Sequence, residues 1–376
     1  MFHSELPSFI ETYKSFTIVP DTSLDSLIAA GILFKKLSEH GFDVSISLNA
    51  KLLLDYRDDP AIVINIPPVN KQKHVYLGTS DKSSVSAQVT YLLDELMGMD
   101  VWDKELSIIA GLYRGLYDVK SGVFTGIEDV FLKELISNKA IYEVTGLRLW
   151  GAKRRGIVSA LTRTLLPYIP GVSGNADVSV KLVSEVYKGV DPYTIRQKEL
   201  TGDRDKDSLF TLIKIIVDST KDPQLAFKLI GDFYVSIPGL SEAADLEAHE
   251  VMGSLVVYES ICENCPLDLA LLPIERSILP QVICIYDEVA DQVALHVSSQ
   301  LDSVTKGGSI ESNDIFKRPD LIVDILQYMN ALPPGRVIKL SADQGYITSL
   351  RELIRAGVKP EEAYTACGDN QLCPVE

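Results

Sequence analysis

Long hydrophobic runs are what this sequence lacks first. No apolar stretch in its 376 residues approaches the roughly 20 that a membrane-spanning helix needs, so no span is expected. The opening segment, Met1 to Lys14, has neither the basic flank nor the apolar stretch of a secretory signal, which places the expected protein in the cytosol. Cysteine is scarce and odd in number, with five residues at Cys262, Cys265, Cys284, Cys367 and Cys373. In a chain this long that count speaks against a disulfide framework. Cys262 and Cys265 have zinc-knuckle spacing, but no second pair repeats it, because Cys367 and Cys373 stand six apart. Free thiols are therefore expected rather than a structural zinc. Internal repeats and low-complexity tracts are absent as well.

Positive charge is also in deficit. Against 52 Asp and Glu there are 36 Lys and Arg, a formal net charge of −16. Most of such a surface repels phosphate, which excludes broad electrostatic adhesion to DNA and leaves only a local contact. The densest basic run is Lys153-Arg154-Arg155, preceded by Arg148 and followed by Arg163. A run of this kind is more often a solvated face; read functionally, it is the candidate nucleic-acid site and neutralises a few phosphates.

What is present is enough apolar material, 46% of the residues, for two cores. The first third alternates in a parallel-sheet rhythm. Strands are predicted at Ser15–Val19, Asp43–Leu48, Ala61–Asn65 and His74–Leu77, with a helix from Leu24 to His40 closed by Gly41. Helices over Ser84–Met97 and Lys104–Tyr117 follow. Pro167 to Gly174 reads as a fixed turn. The middle is helical, at Ser208–Asp218, Pro223–Phe233 and Leu246–Tyr258. Beyond it, strands are predicted at Leu267–Leu272, Gln281–Ile285 and Arg336–Leu340, with a helix at Asp291–Leu301. Trp150 and Tyr168 are expected in the core, His74 and His296 as packing residues, and His3, His40 and His249 at the surface.

The passage Ile18 to Leu33, in which a strand gives way to a helix through Asp21-Thr-Ser-Leu-Asp25-Ser26, resembles the first motif of the RecJ-type DHH phosphoesterases. There the family has His-x-Asp-x-Asp-Gly at the carboxyl end of a strand. Asp21 stands at the His position, Ser23 at the first Asp, Asp25 at the second and Ser26 at the Gly. Asn65, ending the strand Ala61–Asn65, takes the place of the next carboxylate. Gly78-Thr79-Ser80 stands where the Asp-His-His that names the family follows a strand. A further family Asp falls near Gly111 to Asp118, with Asp118 a few residues late. Phe124–Ile127, Gly146–Gly151 and Pro167–Gly174 resemble stretches of archaeal GINS-associated members. Near the end, Asp343 replaces the Arg of a Ser-Ala-Arg strand, and the family's Gly-Gly-Gly-His loop is missing after Tyr364.

The resemblance implies an α/β protein with a parallel-sheet DHH domain over 1–175, a helical connecting region over 176–262 and a smaller α/β DHH-associated domain over 263–376. It also implies that Asp21, Ser23, Asp25, Asn65, Gly78, Thr79 and Ser80 are vestigial, since two divalent ions need several carboxylates and imidazoles that these residues do not supply. No cofactor and no metal are expected. The noncatalytic branch of this family, the cell division cycle forty-five subunits of eukaryotes and their archaeal counterparts, joins GINS and the MCM ring in the replicative helicase. A scaffold subunit in DNA replication, touching single-stranded DNA weakly if at all, is thus the leading expectation. The alternatives are a divergent manganese-dependent phosphoesterase or exonuclease on single-stranded nucleic acid, and a repair-linked binding module without GINS.

Overall fold

The computed structural model describes residues 5–118, 121–197, 203–236, 246–333, 335–342 and 345–376. After a short helix α1 (Glu5–Thr12), strand β1 (Ser15–Pro20) leads into α2 (Leu24–Glu39), β2 (Asp43–Ile46), the single turn α3 (Leu52–Asp55), β3 (Ala61–Ile64) and β4 (His74–Leu77). The four strands form one parallel sheet in the order β2-β1-β3-β4. Gly41, at φ +81°, ends α2 in the left-handed conformation the sequence asks for.

β1 and β3 are apolar on both faces because both faces are covered. Ile18, Ile62 and Ile64 point into the main core with α2, α4 (Val85–Met97) and α5 (Val101–Tyr113). Their neighbours Val19, Ala61 and Val63 point the other way, into a small core shared with Leu350, Leu353, Tyr364 and Cys373 from the end of the chain. The chain end thus returns to cover the sheet it started from. Ser84 caps α4 by accepting from Ala87 N at 3.1 Å, and Asp100 caps α5 by accepting from Asp103 N at 2.9 Å.

A short hairpin, β5 (Tyr117–Asp118) with β6 (Val123–Phe124), and helix α6 (Ile127–Ser137) lead to β7 (Ile141–Leu147). Helices α7 (Ala152–Arg155), α8 (Ile157–Arg163), α9 (Ala176–Val186), α10 (Asp203–Thr220) and α11 (Gln224–Leu229) then enclose a separate core around Leu161, Leu182, Leu212 and Ile216. Strand β8 (Ile230–Ser236) returns antiparallel along all of β7. The turn at Pro167–Gly174 is fixed by Ser173, whose hydroxyl donates to Thr164 O at 2.5 Å and accepts from Ile169 N at 2.9 Å. The helix predicted to Phe233 stops at Leu229, because the residues after it pair with β7 instead.

Helix α12 (Ala248–Ile261) runs through the middle of the molecule and is buried on nearly every side. It is followed by α13 (Cys265–Leu271), the 28-residue α14 (Ile278–Thr305) and α15 (Asp320–Tyr328). The strands predicted at Leu267–Leu272 and Gln281–Ile285 are therefore helical. Short apolar runs do not distinguish strand from buried helix. The deciding pattern is the longer one, with Leu279, Val282, Ile283, Tyr286, Ala290, Val293, Val297, Leu301 and Val304 buried at helical spacing along one face. The C-terminal unit is an antiparallel sheet, β11-β10-β9, from β9 (Leu340–Ala342), β10 (Gly345–Ser349) and β11 (Leu372–Val375), with α16 (Leu350–Arg355) and α17 (Pro360–Ala366). The predicted strand at Arg336–Leu340 begins only at Leu340, and Asp343 lies outside the described residues.

Four of the cysteines are bonded rather than free, as Cys262–Cys265 and Cys367–Cys373, leaving Cys284 as an exposed thiol. Both links are local. Each closes a turn that brings the Cα atoms to 5.4 Å and 4.0 Å, so neither needs the long-range framework that the count argued against. Trp150 is fully buried as expected, but His249, expected at the surface, is buried on α12. Among the described residues no helix is long and apolar enough to cross a membrane.

At Gly253, α12 packs directly on the Trp150 ring. A Cβ there would meet Trp150 Cδ2 at 2.2 Å. Gly253→Ala should therefore lower stability by at least about 1–3 kcal/mol in denaturant unfolding, despite the better helix propensity of alanine. An unchanged midpoint would show that Trp150 is free to move.

Candidate functional site

Parallel strands bring the loops at their carboxyl ends together, and here those loops follow Pro20, Ile64 and Leu77. Most of the motif positions named from the sequence meet there. Asp21 accepts from Ser23 N at 3.1 Å and from the Ser23 hydroxyl at 2.6 Å, which holds the turn into α2. The Ser23 hydroxyl reaches Ser26 Oγ at 2.9 Å, and Ser26 Oγ accepts from Asn65 Nδ2 at 2.8 Å. Asn65 Oδ1 then accepts from Thr79 N at 2.9 Å. Asn65 has φ +56°, a left-handed conformation that asparagine tolerates better than most residues. Its amide ties all three loops.

Asp25 is wholly buried and every lone pair is engaged. Oδ2 accepts from Val85 N at 2.9 Å and from Thr79 Oγ1 at 3.3 Å; Oδ1 accepts from Ser86 N at 2.9 Å and Ser86 Oγ at 2.8 Å. The carboxylate thus binds the N-terminus of α4, not that of its own helix. Glu128, buried on α6, accepts from Ser84 N at 2.7 Å at the same helix end. With Ser84 capping Ala87 N, the exposed donors of α4 are all satisfied. Burial pushes both carboxyls above their usual range, opposed at Asp25 by the Ser86 and Val85 amides and by the Arg114 guanidinium.

Two positions stand aside from the cluster. Gly78 packs against the Tyr76 ring, and Ser80 accepts from Ser83 N at 3.0 Å to shape the turn before α4. Asp118 sits on the β5-β6 hairpin, accepting from Ser121 Oγ at 2.6 Å. The residues present do not fit a pair of divalent ions. Asp25 has no oxygen to give without releasing α4, and Ser, Thr and Asn offer neutral oxygens. Among the described residues no three His, Cys, Asp or Glu side chains converge to hold a metal.

A cleft of about 470 Å³ opens over these loops, with Asp21, Ser23, Asn65, Thr79 and Arg114 on one wall and Arg351 and Arg355 on the other. Arg351 belongs to a buried ionic group that the sequence reading missed. Its Nε donates to Asp320 Oδ1 at 2.8 Å, its Nη2 reaches Asp324 Oδ1 at 2.8 Å, and its Nη1 reaches Tyr113 OH at 3.1 Å. Arg318, fully buried, bonds Asp320 Oδ2 at 3.1 Å and the carbonyls of Glu263 and Asn370. Burial opposes ionisation of Asp320, but Arg351 and Arg318 outweigh it and hold its carboxyl below the usual range. Burial pushes Asp324 up to about 6 and, with Asp320 nearby, holds Glu259 well above the usual range. The sequence signal was Asp320 and Asp324, four apart in an otherwise apolar run.

The basic run lies elsewhere, on α7. Arg154 and Arg155 both bond the buried Glu250 Oε1, at 2.7 and 2.8 Å, and both pair with Asp287; Arg163 pairs with Asp291 at 2.7 Å. Lys153 Nζ contacts Tyr142 OH, and Lys153 N donates to Glu247 at 2.7 Å. These cations fasten the small core to α12 and α14. A phosphate here competes with Glu250 and Asp287 for the same guanidinium groups.

No protein-family model matches the chain, and no curated protein sequence does. Solved structures do, and what they show is the fold: mixed α/β with a parallel four-stranded sheet, similar to that of CDC45. CDC45 from Entamoeba histolytica aligns over 91% of this chain and 85% of its own, with a TM-score of 0.57 and 10% identity. Two manganese-bound RecJ structures align over 91% of this chain: one from Thermus thermophilus (TM-score 0.32, 11% identity, 45% of its own length) and a RecJ exonuclease (0.34, 12%, 80%).

Two predictions follow from this geometry. Asp25→Ala strands the amides of Val85 and Ser86 in the interior and should cost roughly 2–4 kcal/mol, whereas Asp25→Asn, which keeps an acceptor, should cost less. Equal melting temperatures for the two variants would remove the helix-anchoring role. Glu247 is buried, and burial together with Glu250 pushes its pKa from the usual 4.5 up to about 8. Its protonated form is favoured by folding, so that contribution is full below pH 4.5 and is lost as pH rises to about 8. Buried His249, pushed down to about 3, titrates only below its ordinary 6.5 and acts in the opposite direction. Between pH 6.5 and 8, Glu247→Gln should therefore flatten the decline in stability by up to about 1.4 kcal/mol per pH unit. Parallel unfolding profiles for variant and wild type would count against it.

Proposed function

We propose that the chain is a noncatalytic scaffold subunit of a replicative helicase assembly, binding GINS and supporting the MCM ring. The observation that carries this reading is Asp25. The one carboxylate kept from the Asp positions of the first motif is spent on anchoring α4, on a fold shared with CDC45. A site reorganised into hydrogen bonds between its own loops is suited to hold shape, not ions. The GINS and MCM partners come from the resemblance of Asp21 to Leu33, Asn65 and Gly78 to Ser80 to degenerate family motifs. The division at residues 175 and 262, and a cytoplasmic location at the nucleoid, belong to the same proposal. The single-stranded DNA contact at Lys153, Arg154 and Arg155 remains within it as a weak, salt-sensitive one, given the competing carboxylates.

A stable subunit contact buries about 1,200–2,000 Å² with an apolar centre, so it resists salt. Co-expressed with GINS of its own organism, the chain should elute with it in size-exclusion chromatography at low and high salt, and should show no Mn²⁺-dependent hydrolysis of single-stranded DNA. Separate elution at micromolar concentration under both conditions would remove the scaffold reading; turnover abolished by Asp25→Asn would replace it with the phosphoesterase.

A further inference from the structure

Arg114 stands between two cavities. One is the cleft over the vestigial loops; the other, about 400 Å³, lies on its far side, among the end of α5, Tyr117, α11 and α15. That volume falls in the range of small-molecule sites, about 300–1,000 Å³. Two cations line the second cavity, and neither is neutralised. The Arg114 guanidinium makes no hydrogen bond or ion pair among the described residues, although its Nε is buried. Asp25 and Asp324 act on it only through longer-range attraction. Asp324, the carboxylate in the wall, is already committed to Arg351 at 2.8 Å and to the Tyr113 hydroxyl at 2.8 Å. The second cation, Lys228, rests 4.8 Å from the centre of the Tyr328 ring and forms no ion pair among the described residues.

We propose that this cavity binds a small phosphate monoester through Arg114 and Lys228. Two fixed cations match a dianion, and near pH 7 a phosphate monoester carries about −1.5 to −2 charges, whereas a monocarboxylate leaves one cation unmatched. The guanidinium offers paired N–H donors to two phosphoryl oxygens, and Lys228 meets the remaining charge as a point cation. The cavity exceeds the volume of phosphate alone, so an organic group fills the rest, bordered by Tyr328 and the side-chain amides of Gln327 and Asn330. This site is independent of the helicase reading. It shares no metal chemistry with the cleft, and Lys228 lines only the second cavity.

Titration calorimetry on the full chain tests it, with inorganic phosphate, adenosine monophosphate and acetate as ligands. Phosphate and adenosine monophosphate should bind in competition, and acetate should not. Lys228→Gln should weaken both by at least about tenfold, the loss of one charge-assisted contact, and Arg114→Gln should abolish them. If Arg114→Gln does not fold, the partly exposed Lys228 still decides the matter. No heat with either phosphate, acetate binding as tightly, or affinity unchanged in Lys228→Gln would each overturn the proposal; the last would place any anion in the cleft instead.

Discussion

The carboxylate of Asp25 sits where water does not reach, and what makes that tolerable is the N-terminus of α4. A buried carboxylate with nothing to bond would be ejected or protonated, and a helix start with no acceptor would leave amides stranded. Each solves the other's problem: Val85 N and Ser86 N lie 2.9 Å from the two carboxylate oxygens. Because α2 carries Asp25 and α4 carries the amides, this bond sets how the two helices lie against one face of the sheet. Glu128 adds α6 to the same point through Ser84 N. Partial positive charge from a helix end thus surrounds this carboxylate.

The other face of the sheet imposes a second constraint. Val19, Ala61 and Val63 are apolar and must be covered, and the chain supplies the cover from residues three hundred positions later. Apolar contact alone leaves orientation loose. The group formed by Arg318, Asp320, Asp324 and Arg351 fixes it, because ions taken out of water are stable only with good geometry to their partners. Arg351 on α16, Asp320 on α15 and Tyr113 on α5 therefore hold one arrangement of three segments. Gln371 adds a direct bond to the sheet, donating to Pro20 O at 2.6 Å.

Charge is distributed by the same logic. A chain with a net charge of −16 places its densest basic run against carboxylates of α12 and α14, where each guanidinium offsets a negative charge. Glu250 is buried between Arg154 and Arg155, so the run acts as a clasp between the small core and the long helices. Arg114 and Lys228 are different, since no carboxylate of the described chain pairs with either.

Local pattern determined much of this protein. The four parallel strands, the glycine that closes α2, the start of α4 near Ser84 and the placement of Asp21, Ser23, Asn65 and Thr79 near strand ends follow from alternation, turn residues and motif resemblance, which act over a few residues; the start of α5 at Val101, three residues before the predicted Lys104, does not. Short apolar runs did not suffice: Leu267–Leu272 and Gln281–Ile285 carry strand-like composition, yet the first lies on α13, and for the second only the periodicity of the whole of α14 marks it as helical. Tertiary structure alone decided which partners the polar groups found. Asp25 next to its own helix start looks like a local cap, yet its donors come from sixty residues away. Arg154 and Arg155 look like a phosphate site until α12 brings Glu250 between them, and Arg351 has no visible role until α15 lies beside it. Backbone pattern is read from neighbours in sequence, whereas a buried charge is defined by neighbours in space, and those exist only once the sheet has been covered on both faces.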